Sequence, residues 1–251
     1  MFLALALAGP TYAGPVTLDV GGEVRLAAEE WGTGSRAVLL VHDEGGDRSD
    51  WGGLGPKLAT SGFHVVAIDL RGHGASAPPR PATEADWAAM VKDVDAAAAW
   101  LAKRGVSDLH VVAAGAGANL ALNAASTNPA IDDLVLLSPL LNAHGLKLSS
   151  AIATYDRGLF VAAAQDDPTS AKAATWLAEQ ARGPKQLELY PTGGSGARLL
   201  NTASSLEGAL VTWLNGTLLA ASDPRAARDM GVKVEDPEIE TTGQRLEDRQ
   251  R

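Results

Sequence analysis

Six short apolar segments, each separated from the next by a helical pattern, constrain the fold of this chain more than any other feature. The segments are almost continuously apolar, which indicates strands buried on both faces and hence a parallel sheet. They cover residues 37–43, 64–70, 109–114, 133–138, 159–165 and 186–191. Helical patterns lie near 54–60, 84–103, 118–125, 170–181 and 199–220. This alternation predicts a three-layer α/β sandwich.

An antiparallel pair is predicted to precede the parallel strands. Residues 16–20 and 23–31 have strand character, and Gly21 and Gly22 join them as a turn. The sheet is therefore predicted to be mostly parallel, with an antiparallel N-terminal hairpin, in one domain over residues 14–221.

The first 13 residues form an apolar leader. Residues 2–8 are apolar, and Gly-Pro and a small-residue site ending at Ala13 follow, as in the back half of a secretory signal. The basic start of such a signal is missing. Two interpretations stay open. Residues 1–13 are a signal peptide, with export to the periplasm or secretion from the cell, or they are a leader without a targeting function on a cytoplasmic protein.

Residues 222–251 differ in composition from the rest of the chain. The segment carries many charges of both signs, contains Pro224 and Pro237, and has no aromatic residue. Such a segment buries too little apolar area to offset the entropy of ordering it. It is predicted to be a disordered charged tail.

Charge and cysteine content exclude several classes of function. The formal net charge is −9, and an acidic surface repels nucleic acid phosphates. The chain has no cysteine, so no thiol nucleophile, disulfide or cysteine-based metal site is expected. No run after the leader is long enough to span a bilayer. Neither nucleic acid nor a membrane span is therefore predicted.

Polar and glycine-rich motifs follow five of the predicted parallel strands. Open α/β sheets place their sites where such loops meet, at the carboxyl ends of the strands. The loops contain His42-Asp43-Glu44-Gly45-Gly46, residues 69–76, residues 113–117, residues 165–168 and residues 190–196.

The D-x-R-G-H-G-x-S run at residues 69–76, the H-x-x-G-G stretch from His42 and the glycine turn at 113–117 together resemble the α/β-hydrolase family of serine-hydrolase type. The resemblance covers roughly residues 16–220. It implies acyl transfer to water, with a serine on a G-x-S-x-G turn followed along the chain by an acid and a histidine. Residues 140–156, where some hydrolases insert a lid, are few, so no sizeable lid is predicted.

Laid on that family pattern, the catalytic triad is substituted at two of its three positions. The nucleophile position falls on Gly115, and no side chain from 113 to 118 could replace a serine. The acid position falls on Asp167 or, as a second choice, on Asp166. The histidine position falls on Ser195. None of the five histidines follows the acid: they are His42, His64, His73, His110 and His144.

The oxyanion hole is also predicted to be altered. The family pattern assigns its donors to the backbone N–H groups of Ala116 and Glu44. His42 and Asp43 adjoin this pocket, where the family commonly has His-Gly. A carboxylate about 7 Å from a developing oxyanion would oppose it by about 2 kcal/mol at an effective dielectric constant near 20.

Three other interpretations concern the same residues. Asp167 precedes Pro168 and a helical pattern, which is typical of a helix N-cap rather than a catalytic acid. The turn from Gly115 to Leu120 weakly resembles a dinucleotide-binding G-x-G-x-x-G, but its third glycine is missing. A metal-dependent hydrolase would have to use Asp43, Glu44 and Asp167, which lack ligand spacing.

The sequence therefore predicts an α/β-hydrolase fold without an intact triad. The favoured function is a noncatalytic pseudo-hydrolase that binds a small apolar ligand or a protein partner, without cofactor or metal. The alternative is an active hydrolase of ester, amide or lactone bonds, similar to an esterase, lipase or peptidase, that uses an unrecognised group.

Overall fold

The computed structural model describes residues 12–76 and 83–216. Most of the predicted signal segment, residues 1–11, and the whole predicted tail, residues 222–251, lie outside these ranges. Both remain predictions.

An eight-stranded sheet forms the middle of the molecule, in the order β1-β2-β4-β3-β5-β6-β9-β10. The pairs β1–β2 and β2–β4 are antiparallel, and the five remaining pairs are parallel. This confirms the mostly parallel sheet with an antiparallel N-terminal hairpin. The strands are β1 (Tyr12–Gly21), β2 (Val24–Trp31), β3 (Arg36–Val41), β4 (His64–Ile68), β5 (Asp108–Ala114), β6 (Asp133–Leu137), β9 (Gly158–Ala164) and β10 (Lys185–Tyr190). A separate hairpin pairs β7 (Asn142–Ala143) with β8 (Leu146–Lys147).

Helices cover both faces of the sheet. They are α1 (Gly55–Thr60), α2 (Glu84–Ala89), α3 (Val91–Ala102), α4 (Gly115–Ala125), α5 (Leu148–Ile152), α6 (Pro168–Gln180), α7 (Leu199–Thr202) and α8 (Leu206–Leu214). Single 3₁₀ turns lie at Arg48–Trp51 and Gly196–Arg198. In the described part of the chain, no helix is long and apolar enough to cross a membrane.

Alternate residues of the central strands supply two separate apolar cores. In β3, Leu39 and Val41 pack in the core that contains residues of α3, α4 and α6. Val38 and Leu40 pack in the core that contains residues of α1 and α8. Because successive strand residues point to opposite faces, both faces are covered and the sandwich has three layers, as predicted.

The observed helices depart from the predicted pattern at three places. The pattern at 199–220 contains two helices, α7 and α8, with residues 203–205 between them. Residues 84–103 form two helices that meet at Met90, and the first begins at a capping box between Thr83 and Asp86. Helix α4 begins at Gly115 instead of residue 118, so the glycine turn is already the first turn of the helix. Residues 140–156 contain only the β7–β8 hairpin and α5, in agreement with the absence of a sizeable lid.

Candidate functional site

The loop after β3 brings the side chain of Asp43 to the first turn of α4. Its Oδ1 atom accepts a hydrogen bond from the backbone N–H of Ala116 at 2.8 Å. The same atom accepts a second one from the backbone N–H of Glu44 at 2.7 Å. These two N–H groups are the ones that the sequence assigned to the oxyanion hole. They converge on one carboxylate oxygen of the protein itself.

Gly115 has no side chain at the point where the Asp43 carboxylate lies. Its φ is +52°, a conformation that side-chain-bearing residues rarely adopt. A Cβ atom built on Gly115 would overlap Cγ and both carboxylate oxygens of Asp43. The carboxylate of Asp43 therefore occupies the space in which a nucleophile at position 115 would project.

The position of Asp43 differs from the sequence-based expectation. The sequence placed a carboxylate about 7 Å from the oxyanion site, where it would act only through its field. Instead, Oδ1 accepts hydrogen bonds directly from both N–H groups that the sequence assigned to the oxyanion hole. Asp43 therefore occupies both of these N–H groups, in addition to placing a negative charge beside them.

Asp43 also acts as a capping group for α4. Ala114, the residue before the helix, makes no side-chain cap hydrogen bond. The Asp43 carboxylate, 73 residues away from Ala116 in sequence, satisfies one of the free N–H groups of the first turn. A negative charge at a helix N-terminus is favourable by roughly 0.3–1 kcal/mol in exposed sites. The contact with Ala116 thus stabilises the start of the helix.

A cleft of about 470 Å³ opens beside Asp43. Ser195, the residue at the histidine position, lines this cleft together with Asp43 and Glu44. A Cβ atom on the neighbouring Gly196 would lie 3.1 Å from Oδ2 of Asp43. The structure therefore brings the nucleophile position and the histidine position together around one carboxylate.

The two acid positions make different contacts. Asp167 caps α6, where its carboxylate accepts from the Ser170 backbone N–H at 3.3 Å and from the Ser170 hydroxyl. Asp166 accepts from the backbone N–H groups of Gly193 and Gly194 at 3.0 and 3.1 Å. Asp166 thus holds the loop that carries Ser195, whereas Asp167 has the N-cap geometry that its sequence context favoured.

His42 lies fully buried beneath the site. Its Nε2 atom accepts from the Leu70 backbone N–H at 3.0 Å, and its Nδ1 lies 2.6 Å from the Asp43 carbonyl oxygen. A carbonyl oxygen only accepts, so these contacts fit a neutral ring with its proton on Nδ1. Burial lowers the pKa of His42 below its usual value, and the nearby His73 lowers it further. His42 is thus a neutral support for the Asp43 loop.

This support has a measurable pH dependence. In the unfolded chain, His42 takes up a proton as the pH falls through about 6.5, whereas in the folded chain it resists protonation because its pKa is lowered. The contribution of neutral His42 to the free energy of unfolding is therefore fully present above about pH 6.5. It is lost as the pH falls from there towards the lowered pKa of His42 in the folded chain. We expect His42→Gln to be less stable than the wild type at pH 8 but to lose less stability between about pH 6.5 and pH 5.

Denaturant unfolding of both chains across this pH range measures the difference. The contribution of one histidine reaches at most about 1.4 kcal/mol per pH unit. Parallel stability profiles of the wild type and His42→Gln would show that His42 is not the group responsible.

The D-x-R-G-H-G-x-S loop is tied into the fold by its polar side chains. Buried Asp69 accepts from the backbone N–H groups of Arg48 and Ala75 at 2.7 and 2.8 Å. Arg71 forms an ion pair with buried Asp93 of α3. Nδ1 of His73 lies 3.0 Å from the Arg71 carbonyl oxygen. These contacts shape the loop that underlies the site.

The β7–β8 hairpin is attached to α4 by Asn119, a residue that the sequence interpretation did not single out. Its buried amide donates to the carbonyl oxygens of Leu140 and Leu146 at 2.7 and 2.8 Å, and it accepts from the Leu140 N–H. At the tip of the hairpin, His144 stacks on Trp87 at 4.2 Å. Only the spacing of Asn119 from the glycine turn, one helical turn further on, could have indicated such a role.

His144 also contacts Glu44, whose backbone N–H the sequence assigned to the oxyanion hole. Its Nε2 atom lies 2.8 Å from Oε2 of Glu44, and both side chains are partly exposed. This contact fixes the side chain of Glu44 while its backbone N–H points to Asp43. Nothing in the sequence indicated that His144 lies next to the site.

Gly117 and the arrangement of the carboxylates bear on the dinucleotide and metal interpretations. A Cβ atom on Gly117 would overlap the His42 carbonyl oxygen, so this glycine allows α4 to approach the loop after β3. Within residues 12–76 and 83–216, no group of three or more His, Asp or Glu side chains is arranged to hold a metal ion.

Comparisons with known proteins agree with the fold. Residues 36–192 match the family model of the alpha/beta hydrolase fold. Because this match covers more than half of the chain, the protein belongs to the α/β-hydrolase fold family.

Solved structures of hydrolases resemble the chain over most of its length. An esterase of Pyrococcus furiosus, Pf2001, superposes with a TM-score of 0.67 at 17% identity, over 82% of this chain and 92% of that one. The serine hydrolase CCSP0084 from Cycloclasticus zankles gives 0.67 at 15% identity, over 83% and 99%. At such identities the likeness shows the fold alone.

The curated relatives match only part of the chain. The dihydrolipoyllysine-residue acetyltransferase component of an acetoin cleaving system from Cupriavidus necator is 33% identical over 124 residues, which is 49% of this chain and 31% of that protein. The corresponding component from Pseudomonas putida is 41% identical over 63 residues, 25% of this chain and 17% of that protein. The matched segments thus span about a third or less of these relatives.

Proposed function

We propose that this chain is a noncatalytic member of the α/β-hydrolase fold whose oxyanion hole is closed by its own Asp43. The observation that carries this proposal is the pair of hydrogen bonds from Ala116 and Glu44 to Oδ1 of Asp43. Gly115 and Ser195, at the nucleophile and histidine positions, supply neither a hydroxyl on the turn nor a base.

Acyl transfer in this geometry would meet two obstacles. A substrate carbonyl oxygen would have to displace Asp43 from both N–H donors, and loss of one such donor already reduces turnover about 10²–10³-fold in a well-studied hydrolase. The negative charge of the tetrahedral intermediate would also develop beside a carboxylate. Electrostatic stabilisation of the oxyanion is usually the largest contribution to this chemistry, and Asp43 would oppose it directly.

The cleft beside Asp43 supports a role in binding. Three carboxylates, those of Asp43, Glu44 and Asp50, line it, and Arg198 is the only basic residue among its lining residues. Such a lining favours a polar ligand with positive charge over the small apolar ligand expected from the sequence. A protein partner that inserts a basic side chain fits the same chemistry. This ligand class is part of the proposal.

An active hydrolase remains the second candidate, because potential catalytic groups are present near the cleft. The hydroxyl-bearing residues Ser49 and Ser195 line the cleft. His144 is hydrogen-bonded to Glu44, which also lines it. An enzyme built from these groups would be a hydrolase with an unrecognised nucleophile and base.

The two candidates are separated by esterase assays and active-site labelling. We expect the wild-type protein to hydrolyse p-nitrophenyl acetate and butyrate at the rate of buffer, and a fluorophosphonate probe to label no serine. The physical reason is that loss of the nucleophile or the base lowers turnover about 10⁶-fold in the best-studied case.

Three variants make the result decisive. Ser195→Ala and His144→Ala test two of the groups that an active hydrolase could use, and Asp43→Asn tests the carboxylate without changing its size. Ester turnover that is lost in Ser195→Ala or His144→Ala, or stoichiometric labelling of any serine, would establish the enzyme and refute the proposal.

A further inference from the structure

An apolar groove lies at the edge of the sheet, away from the cleft. β10 ends the strand order, and α6 packs against it. The groove has a volume of about 430 Å³. Its lining residues are Gln165, Ala171, Lys172, Thr175, Trp176, Glu179 and Leu189. Leu189 is 37% exposed and is one of only two large hydrophobic residues exposed in the described part of the chain.

Four of these residues form a stripe along α6. Lys172, Thr175, Trp176 and Glu179 follow one another at spacings of three, one and three residues, which places them on one face of the helix. Lys172 and Glu179 are exposed. Within residues 12–76 and 83–216, neither of these two charges lies in an ion pair. We call this stripe together with Leu189 the α6 face.

The charges of the α6 face can pair with the charges of the same face on a second copy. If two copies of α6 pair in antiparallel fashion about an axis between Thr175 and Trp176, Lys172 of each copy lies opposite Glu179 of the other. A two-fold interface requires this reciprocity, in which one residue contacts a second and the second contacts the first. A helix of 13 residues is about 20 Å long, so both ion pairs fit along it.

We propose that the α6 face binds a second copy of this chain and forms a two-fold dimer. Trp176 and Leu189 of both copies would fill the centre, and the two Lys172–Glu179 pairs would flank it. Aromatic residues are enriched in the centres of such interfaces, with charged residues at the rim. The proposal is independent of the function of the cleft, because it uses no residue of the Asp43 site.

The test is sedimentation velocity of the full chain from about 1 to about 100 µM, a range that covers moderate affinities. We expect a dimer at the upper end. Lys172→Glu or Glu179→Lys alone replaces both attractive pairs by like charges and should weaken the dimer about tenfold or more. The double variant Lys172→Glu/Glu179→Lys restores opposite charges across the axis and should recover most of the affinity.

Lys103→Glu, which makes the same charge change on an exposed residue outside the α6 face, is the matched control and should leave the dimer intact. Thermal melting of each variant monitors folding. A wild-type chain that stays monomeric at about 100 µM would overturn the proposal. A dimer that tolerates both single variants, or one that the double variant does not restore, would overturn it equally.

Discussion

Gly115→Ala is expected to lower the free energy of unfolding by about 2–4 kcal/mol in the wild-type chain but by only about 1 kcal/mol in an Asp43→Gly chain. Two effects add in the wild type. A side chain at φ +52° is strained, and its Cβ overlaps the Asp43 carboxylate. The strain remains once the carboxylate has been removed, but the overlap with Asp43 is gone, so the two substitutions should be strongly coupled.

Urea unfolding of the wild type, the two single variants and the double variant measures this coupling. Gly62→Ala is the matched control, because Gly62 has a φ of +92° and a Cβ there would meet nothing within 4 Å. It should cost about 1 kcal/mol in both backgrounds. Additive effects of Gly115→Ala and Asp43→Gly would show that the carboxylate does not occupy the space next to Gly115.

The largest effect on activity is expected from the triple variant Asp43→Gly/Gly115→Ser/Ser195→His. It should hydrolyse activated esters at least about 100-fold faster than Gly115→Ser alone. The first change frees the N–H groups of Ala116 and Glu44, the second supplies a nucleophile, and the third supplies a base. Each single variant should gain almost nothing, since triad members act as a unit.

Two further comparisons show which groups the triple variant uses. Replacing Asp50, which lines the same cleft, by glycine in place of Asp43 should leave activity at the level of Gly115→Ser. Asp166→Asn and Asp167→Asn in the triple background show which carboxylate orients the new histidine. If the triple variant folds and is no faster than Gly115→Ser, the assignment of positions 43, 115 and 195 is wrong.

The sequence predicted the layers and the strand directions because these depend on strong periodic signals. The apolar runs at residues 37–41 and 109–114 are buried on both faces of the sheet, as short continuous apolar runs favour. The break at Met90 was missed, since the apolar period continues through it and the capping box of Thr83 affects only one end of the helix. A local sequence pattern predicts whether a segment is a helix or a strand more reliably than it predicts where that segment begins and ends.

The site was only partly predictable for a different reason. The assignments of Gly115 and Ser195 follow from motifs, and in the structure Gly115 lies against the Asp43 carboxylate while Ser195 lines the same cleft as Asp43. The contact between Asp43 and Ala116 joins residues 73 apart in sequence and depends on one side-chain rotamer. No periodicity or spacing contains that information. The His144–Glu44 contact, across 100 residues, escaped for the same reason.

The overlap between Asp43 and position 115 also limits how this sequence can change over generations. A mutation that introduces serine at 115 arrives in a chain where the space is filled, so its first expected effect is loss of stability. Loss of Asp43 must come first, yet it removes the group that caps α4. Serine at 115 and loss of Asp43 are therefore each expected to be unfavourable alone, and only the two changes together remove the overlap.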